Sequence, residues 1–350
     1  MNRVLMILII IVISTINLYS YKAIIVQNGN DAKLYQVTEL QKALDSAAVG
    51  SDVYLPGYDF SGTTITIRKK LNIYGTGFYS SATNETGKTI LGIVIFNSGS
   101  DSTLLEGVYI SNVLRISYTA THKVSNLMFR KCNIRGLDVA KADTSKFHTF
   151  KDCVLYNPTI SSKAVGIKVY NSIIDPNPGS TIYGLIFESY NTSYINCILH
   201  YPDVNGSKGL FWASNSAFNL FENCIFLNTY ELKSLGLNNG FVNCLSVYNQ
   251  TDWGVDNYNV DCLINQNKDS IFVDTLDIYS FSEDFDYHLN ENCLGKDYGT
   301  DGTDLGIYGG TYPYKELGIP IIPYIKSYNS ANKTVNGTLE VNVEVESQTE

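Results

Sequence analysis

The sequence predicts an all-β protein built as a coiled parallel β-solenoid, and three observations predict it. A six-residue phrase recurs seven times, the copies are 18 to 27 residues apart, and the apolar positions within a copy do not fit one straight strand. Phe221-Glu222-Asn223-Cys224-Ile225-Phe226 is the clearest copy. The others centre on Cys132, Cys153, Ser172, Cys197, Cys244 and Cys262, so successive centres are 21, 19, 25, 27, 20 and 18 residues apart. A period in this range marks a solenoid whose units bury their apolar faces against neighbours.

With the Cys/Ser position as zero, apolar residues fall at −3, 0, usually +1, and +2, and a polar residue falls at −1. Alternate residues of a strand face opposite sides, so −3 and 0 cannot both point inward unless the chain switches parity between them. A left-handed residue does this, and Asn and Asp tolerate that region best after glycine. Position −1 is Lys131, Asp152, Asn171, Asn196, Asn223, Asn243 and Asp261, six of seven being Asn or Asp. Each unit therefore reads as a strand, a corner at −1 and a second strand. A regular Leu ladder or a 3.6-residue period, which leucine-rich or helical repeats need, is absent. The stacked cysteines Cys132, Cys153, Cys197, Cys224, Cys244 and Cys262 are expected to be buried free thiols acting as small hydrophobes, because stacked parallel strands rarely offer disulfide geometry. Cys293 lies outside the ladder.

At 350 residues, one sizeable solenoid needs no division into further domains. The net charge of −9 argues against nucleic acid as a partner, since phosphate binding needs a basic face. Only 17% of residues are charged while Tyr numbers 26 and Gly 27, a profile of a Tyr- and Gly-rich β surface. Residues 1–20 combine Arg3, the apolar run Val4–Ile13 and a small residue at Ser20, which reads as a signal peptide. The expected destination is secretion or the cell surface, with no transmembrane span after cleavage.

In chain order, residues 21–50 hold a strand candidate from Lys22 to Gln27 and an amphipathic helix from Tyr35 to Ala48. That helix has Val37, Leu40, Leu44 and Ala47 on one face and Thr38 with Gln41 as a capping box, placed to cap the open end of the solenoid. Residues 51–312 are assigned to the β-helix, and 313–350 to a Pro-marked tail with a short β extension at Gly337 to Val345.

The run Gln41-x-Ala43-Leu44, Gly50-Ser51-Asp52-Val53-Tyr54-Leu55-Pro56-Gly57-Tyr58, Ile65-x-Ile67 and Lys69-x-Leu71-x-Ile73-x-Gly75-x-Gly77 resembles the entry of right-handed parallel β-helix proteins of the pectin-lyase-like type. Asp284 to Leu289 and Gly299 to Gly310 resemble the closing segment of bacterial secreted β-helix proteins, and the tail is similar to those of Bacteroidetes surface proteins. The resemblance implies a helix capping the first rung and, by fold alone, lyases, hydrolases, isomerases and adhesins alike.

The Asp-Asp and Gly-His-Gly patterns of polygalacturonase-like hydrolases are missing from the ladder, and its one Asn-x-Asp, Asn259-Val260-Asp261, is the corner of the last copy. His122, His148, His200 and His288 are scattered and read as surface or packing residues. Arg130, Lys131, Arg135 and Lys141 fall in one rung, as a solvated turn or a basic patch for an acidic glycan. The expected function is therefore carbohydrate binding or adhesion on an extracellular polysaccharide or cell-surface glycan. The alternatives are a polysaccharide lyase or glycoside hydrolase, and a structural spacer. The catalytic candidates are Glu188 and Glu231, placed by the repeat on first strands two rungs apart, about 9.6 Å along the axis, beside the roughly 6.5–9.5 Å of inverting carboxylate pairs. Trp212, Lys208 and Lys233 complete that groove as binding residues. No cofactor is implied. The Gly-rich Asp301/Asp304 segment lacks the EF-hand run that would hold calcium, and reads as a turn network.

Overall fold

The computed structural model describes residues 22–119, 122–140, 144–176, 184–201, 209–211, 216–228, 231–232, 236–274, 281–331, 333, 336–338 and 340–348. Residues 1–20, read as a signal peptide, lie outside them. The chain winds into a parallel β-solenoid of about nine turns. One sheet stacks the strands that precede the corners, and ten of its strands, from Asp52–Tyr54 to Tyr258–Val260, are parallel. A second, branched sheet stacks the strands that follow the corners.

Every −1 residue has a left-handed backbone: φ is 50° at Lys131, 55° at Asp152, 43° at Asn171, 53° at Asn196, 55° at Asn223, 47° at Asn243 and 50° at Asp261. This corner lets −3, 0 and +2 all face the coil interior. Strand register aligns Leu105, Phe129, Phe150, Val169, Tyr194, Phe221 and Phe241 in one inward column, and all are fully buried. The Tyr194, Phe221 and Phe241 rings stack at centroid spacings of 4.8 and 5.2 Å. All seven cysteines are free thiols. The ladder thiols donate to the −3 carbonyl of the preceding coil, as from Cys224 Sγ to Tyr194 O at 3.3 Å and Cys244 Sγ to Phe221 O at 3.4 Å. A thiol at position 0 thus fills a small space and adds a weak donor.

The entry differs from its sequence expectation. The α-helix is shorter, α1 (Leu40–Ser46), and follows a 3-10 turn at Val37–Glu39. Tyr35 and Gln36 instead end strand β2 (Asp31–Gln36), which forms an antiparallel hairpin with β1 (Ala23–Asn28) around Gly29 at φ 60°. The two-residue loop Gly29-Asn30, with glycine first, is the local signal for that hairpin. The first turn is closed by the Glu39 carboxylate accepting from Gln36 N–H at 3.2 Å, rather than by Thr38 with Gln41. Gln41 does other work. Its amide donates to Thr66 O at 3.0 Å and accepts from Thr66 N at 2.8 Å, pairing the open edge of the strand Asp59–Ile67 as another strand would.

The last bridge of the coil is Leu245 with Leu263. Beyond it, the described residues run back along the outside, against the direction of the coils. Asn243 Nδ2 donates to Tyr298 O, and Asn223 Oδ1 accepts from Thr300 N at 2.9 Å while its carbonyl accepts from Gly306 N. Asn171 Nδ2 donates to the Ile307 and Gly309 carbonyls, both at 2.8 Å. Gly310, at φ 83°, lies so close to Asn196 Nδ2 that a Cβ would sit 2.4 Å from it. This return segment covers the outward +1 column of Val154, Ile173, Ile198, Ile225 and Leu245 with Phe272, Tyr287, Leu289, Leu305 and Ile307, forming a second core outside the coil. The span 51–312 therefore holds two structures, a coil and a strap across it. The tail pairs Tyr324–Ser330 with Val341–Glu346 as an antiparallel hairpin.

Two outcomes are expected. Replacing Asn223 by Ala loses both left-handed tolerance and the strap bonds, costing about 2–3 kcal/mol. Asn223→Gly keeps the corner and costs only about 1 kcal/mol; urea midpoints of the two variants decide this, and equal losses would assign the whole role to the side chain. A thiol reagent should label at most the half-buried Cys262 in the folded chain and all seven cysteines after denaturation.

Candidate functional site in the clefts beneath the return segment

Position +3, one residue beyond the shared phrase, faces outward like +1. In successive copies it is Arg135, Tyr156, Asp175 and His200. Where the return segment covers this face the outward columns are mostly apolar. Toward the N-terminal end they become polar, at Tyr109, Asn133 and Arg135, and there the surface opens into two adjacent clefts.

The first cleft, about 250 Å³, lies between Tyr79 of the solenoid and the return segment, which supplies Tyr287, Tyr308, Tyr314 and the carboxylates Glu283, Asp284, Asp286 and Glu316. Tyr79 and Tyr314 share a hydroxyl hydrogen bond of 3.0 Å, and Tyr308 Oη donates to Glu316 at 2.8 Å. Burial raises the pKa of all four phenols, so they act as neutral hydroxyls and apolar faces. Burial alone would raise Asp286 too. Hydrogen bonds from the His288 backbone and ring, the latter 2.7 Å away, outweigh it and hold Asp286 below the usual carboxylate range. The His288 ring in turn stacks on Tyr308 with centroids 3.7 Å apart. Leu317, at φ 72°, holds a backbone conformation rare for its type at the cleft rim.

The second cleft, about 270 Å³, shares Glu283 as a wall and is lined by Lys88, Tyr109, Asn133, Arg135 and Tyr156. Lys88 pairs with Glu283 at 2.8 Å, and Ser80 N donates to the same carboxylate at 2.7 Å. Arg135 Nε donates to Tyr109 Oη at 2.9 Å, and its guanidinium lies 5.6 Å from the Tyr156 ring centroid.

Behind both clefts His200 Nδ1 meets Asp175 Oδ1 at 2.9 Å, and Asp175 Oδ2 accepts from Phe281 N at 3.2 Å. Both side chains are sealed beneath the return segment. A His–Asp pair suits general-base chemistry, but this one has no access to substrate and instead anchors the segment that carries Tyr287. The sequence signal for it was position +3.

The residues singled out from sequence assemble differently. Trp212, Lys208, Lys233 and Lys141 lie outside the described residues. Glu188 opens the two-residue strand Glu188–Ser189, opposite Thr159. Glu231 is not on a strand, contrary to the repeat-based placement. Its carboxylate accepts from Thr251 N and Oγ1 and from Asp252 N, bracing the next coil. Neither glutamate lines the two clefts. The rung read as a solvated turn or a basic patch divides: Arg135 enters the second cleft, whereas Arg130 pairs with the buried Glu106 at 2.8 Å and the buried Lys131 bonds Gln348. His148 is buried and, through desolvation, its pKa falls to about 3. Asp301 Oδ1 accepts from Thr303 N and Oγ1, a local turn network. Among the described residues no group of three His, Cys, Asp or Glu is placed to hold a metal ion, and no helix there is long and apolar enough to cross a membrane.

The fold and these clefts define a parallel β-solenoid with an aromatic, charge-lined groove on its flank. No family model matches the sequence, and no curated protein matches it.

The buried charges make a pH prediction. Burial raises Asp152 to about 7, against the pull of Lys151 and Lys131, while an unfolded Asp titrates near 3.9. Between about pH 4 and 7 the folded state holds the extra proton, so this residue makes stability fall as pH rises through that window. Lys131, lowered to about 8 by burial, acts in the opposite direction above pH 8. Asp152→Asn is expected to melt higher than the wild type at pH 7.5 and equally at pH 4; equal melting at both would show that the fold does not raise the Asp152 pKa.

Proposed function

We propose that the protein is a secreted or surface-exposed glycan-binding module, a right-handed, pectin-lyase-like β-helix capped by α1, whose ligand lies in the groove between coil and return segment. The observation that carries this reading is the first cleft. Four phenol rings beside four carboxylates offer what a sugar needs: flat apolar faces for its C–H surface, and acceptors for hydroxyls. A net charge of −9 suits neutral or mixed glycans better than uniformly anionic ones. The signal-like residues 1–20 support export.

The test is a glycan array followed by titration calorimetry on the ligands found. Tyr308→Ala, which removes a ring face and the support of Glu316, is expected to weaken binding at least about tenfold, near 1.4 kcal/mol. Tyr308→Phe should lose less. No binding across the array, or binding indifferent to Tyr308→Ala and Glu316→Gln, overturns the reading. Release of unsaturated or reducing ends from bound glycans would instead support a lyase or hydrolase, which the carboxylate-rich cleft keeps as the second reading.

A further inference from the structure

We propose that Lys131 and Gln348 form an intramolecular isopeptide bond, the Lys131 amine displacing ammonia from the Gln348 carboxamide while Asp152 passes the proton. The bond ties the tail to the coil and stands apart from the glycan reading.

The first support is the setting of Lys131. Six of the seven corners are Asn or Asp, yet this one holds a lysine at φ 50°, a costly backbone for a long side chain. The residue is only 2% exposed, and its amine bonds a neutral carboxamide rather than a carboxylate. Glu106, the strongest negative charge acting on it, is engaged elsewhere. One Glu106 oxygen accepts from Arg130 Nη2 at 2.8 Å and the other from Ile321 N at 3.1 Å. Asp152, Arg130 and Lys151 are the other charges that Lys131 feels. Burial lowers its pKa to about 8, so near neutrality part of the amine is already unprotonated and nucleophilic.

The second support is the orientation of the Gln348 carboxamide. Its Nε2 donates to Glu316 O at 3.0 Å, and its Oε1 accepts from Lys131 Nζ. A carbonyl on one side and an amine on the other settle which end of the amide faces the lysine. The carbonyl carbon then stands one C=O bond from the atom the amine already touches, which is the juxtaposition that amide exchange needs.

The third is an orphaned acid. Asp152 is the corner residue of the next coil, and Lys131 N donates to the carbonyl of its neighbour Lys151 at 3.0 Å. Asp152 is 2% exposed, and its Oδ1 is buried with no hydrogen-bond partner among the described residues. Leaving such an oxygen unpaired is destabilising, and a reaction that uses it gives it a role. Burial raises its pKa to about 7, helped by Glu106 and opposed by Lys151, Lys131 and Arg130, with the Tyr314 phenol also nearby. A carboxyl poised near neutrality can both give and take a proton.

The step balances without an outside reactant. The unprotonated Nζ attacks Gln348 Cδ, and the carbonyl electron pair moves to Oε1. Asp152 protonates Nε2 as the Cδ–Nε2 bond breaks, and it recovers the proton that Nζ must lose. The products are one secondary amide and one ammonia, whose escape makes the step irreversible.

The test follows the full chain as it refolds from denaturant, by ammonia release and mass spectrometry. The expected result is one ammonia per chain and a product lighter by that molecule. Trypsin should not cut after Lys131, and should yield one branched peptide joining Lys131 to Gln348. A chain held in denaturant should release no ammonia by this route and yield no branched peptide. Lys131→Arg and Gln348→Ala, with melting curves confirming that they fold, should form no bond. The rate should peak near pH 7.5, midway between the Asp152 and Lys131 values of about 7 and about 8. Asp152→Asn keeps a donor for Oε1 but cannot pass a proton. Its half-time should lengthen at least about tenfold, and its rate should only rise through about pH 8. Carried to completion, wild type and Asp152→Asn both hold the bond, and their melting is compared on such chains. Burial, the first cause of the Asp152 shift, persists there, whereas Lys131 titrates only in the unbonded chain. Cleavage after Lys131 with unchanged mass on prolonged incubation overturns the proposal. So does a bond that forms equally fast in Asp152→Asn, or in denaturant.

Discussion

The structure depends on one backbone constraint, the left-handed residue at the corner of each coil. Without it, −3 and 0 would face opposite sides of a strand and half of the Phe and Cys column would point to solvent. The constraint also sets the side-chain chemistry. Asn and Asp adopt this conformation at lower cost than larger residues, and at four of the seven corners (Asn171, Asn196, Asn223 and Asn243) the side chain meets the return segment. The amide of Asn then does a second job, satisfying strap carbonyls at Tyr298, Ile307 and Gly309. Lys131 breaks the pattern, and its buried ammonium reaches Gln348 near the end of the chain.

The strap explains why the strands after the corner are apolar at both +1 and +2. A half-buried strand alternates, whereas one buried on both faces reads as a continuous apolar run. Ile173-Ile174, Ile198-Leu199 and Ile225-Phe226 are such runs, with the coil interior on one side and the strap on the other. The pattern ends at Asn133 and Tyr109, where the outward face turns polar. The clefts are the place where the second core stops.

Much of the coil was legible because its signals are local and repeated: position −3, the corner at −1 and the small residue at 0 recur within six residues. The hairpin of β1 and β2 was equally local, in Gly29-Asn30, but the helical spacing of Val37, Leu40 and Leu44 drew the helix back over Tyr35. The strap was not legible. Its contacts join residues such as Asn171 and Ile307, 136 positions apart, mostly through backbone carbonyls that leave no trace in residue type. The groove shared that fate, since Tyr308 and Glu283 come from the strap and Arg135 and Tyr156 from the coil. What the sequence did hold was the column one residue past the repeat, where Arg135, Tyr156, Asp175 and His200 replace a shared residue with four different ones. In a repeat, the position that varies after the invariant stretch is free of the packing constraint and open to chemistry.

Because the groove is made jointly, its rigidity is borrowed from the clamp. Tyr287 is held through Phe272 and through the sealed His200–Asp175 pair, while Glu283 is fixed by Lys88 and the Ser80 N–H. These anchors lie on coils far apart in sequence, so the spacing of the two clefts is set by the coil repeat of roughly 4.8 Å per strand rather than by loop conformation. A ligand touching both Tyr308 and Arg135 bridges strap and coil, and its binding energy adds to the interactions that hold the strap down. The corner asparagines, which carry no chemistry of their own, thus determine whether the chemical groups stand close enough to act on one molecule.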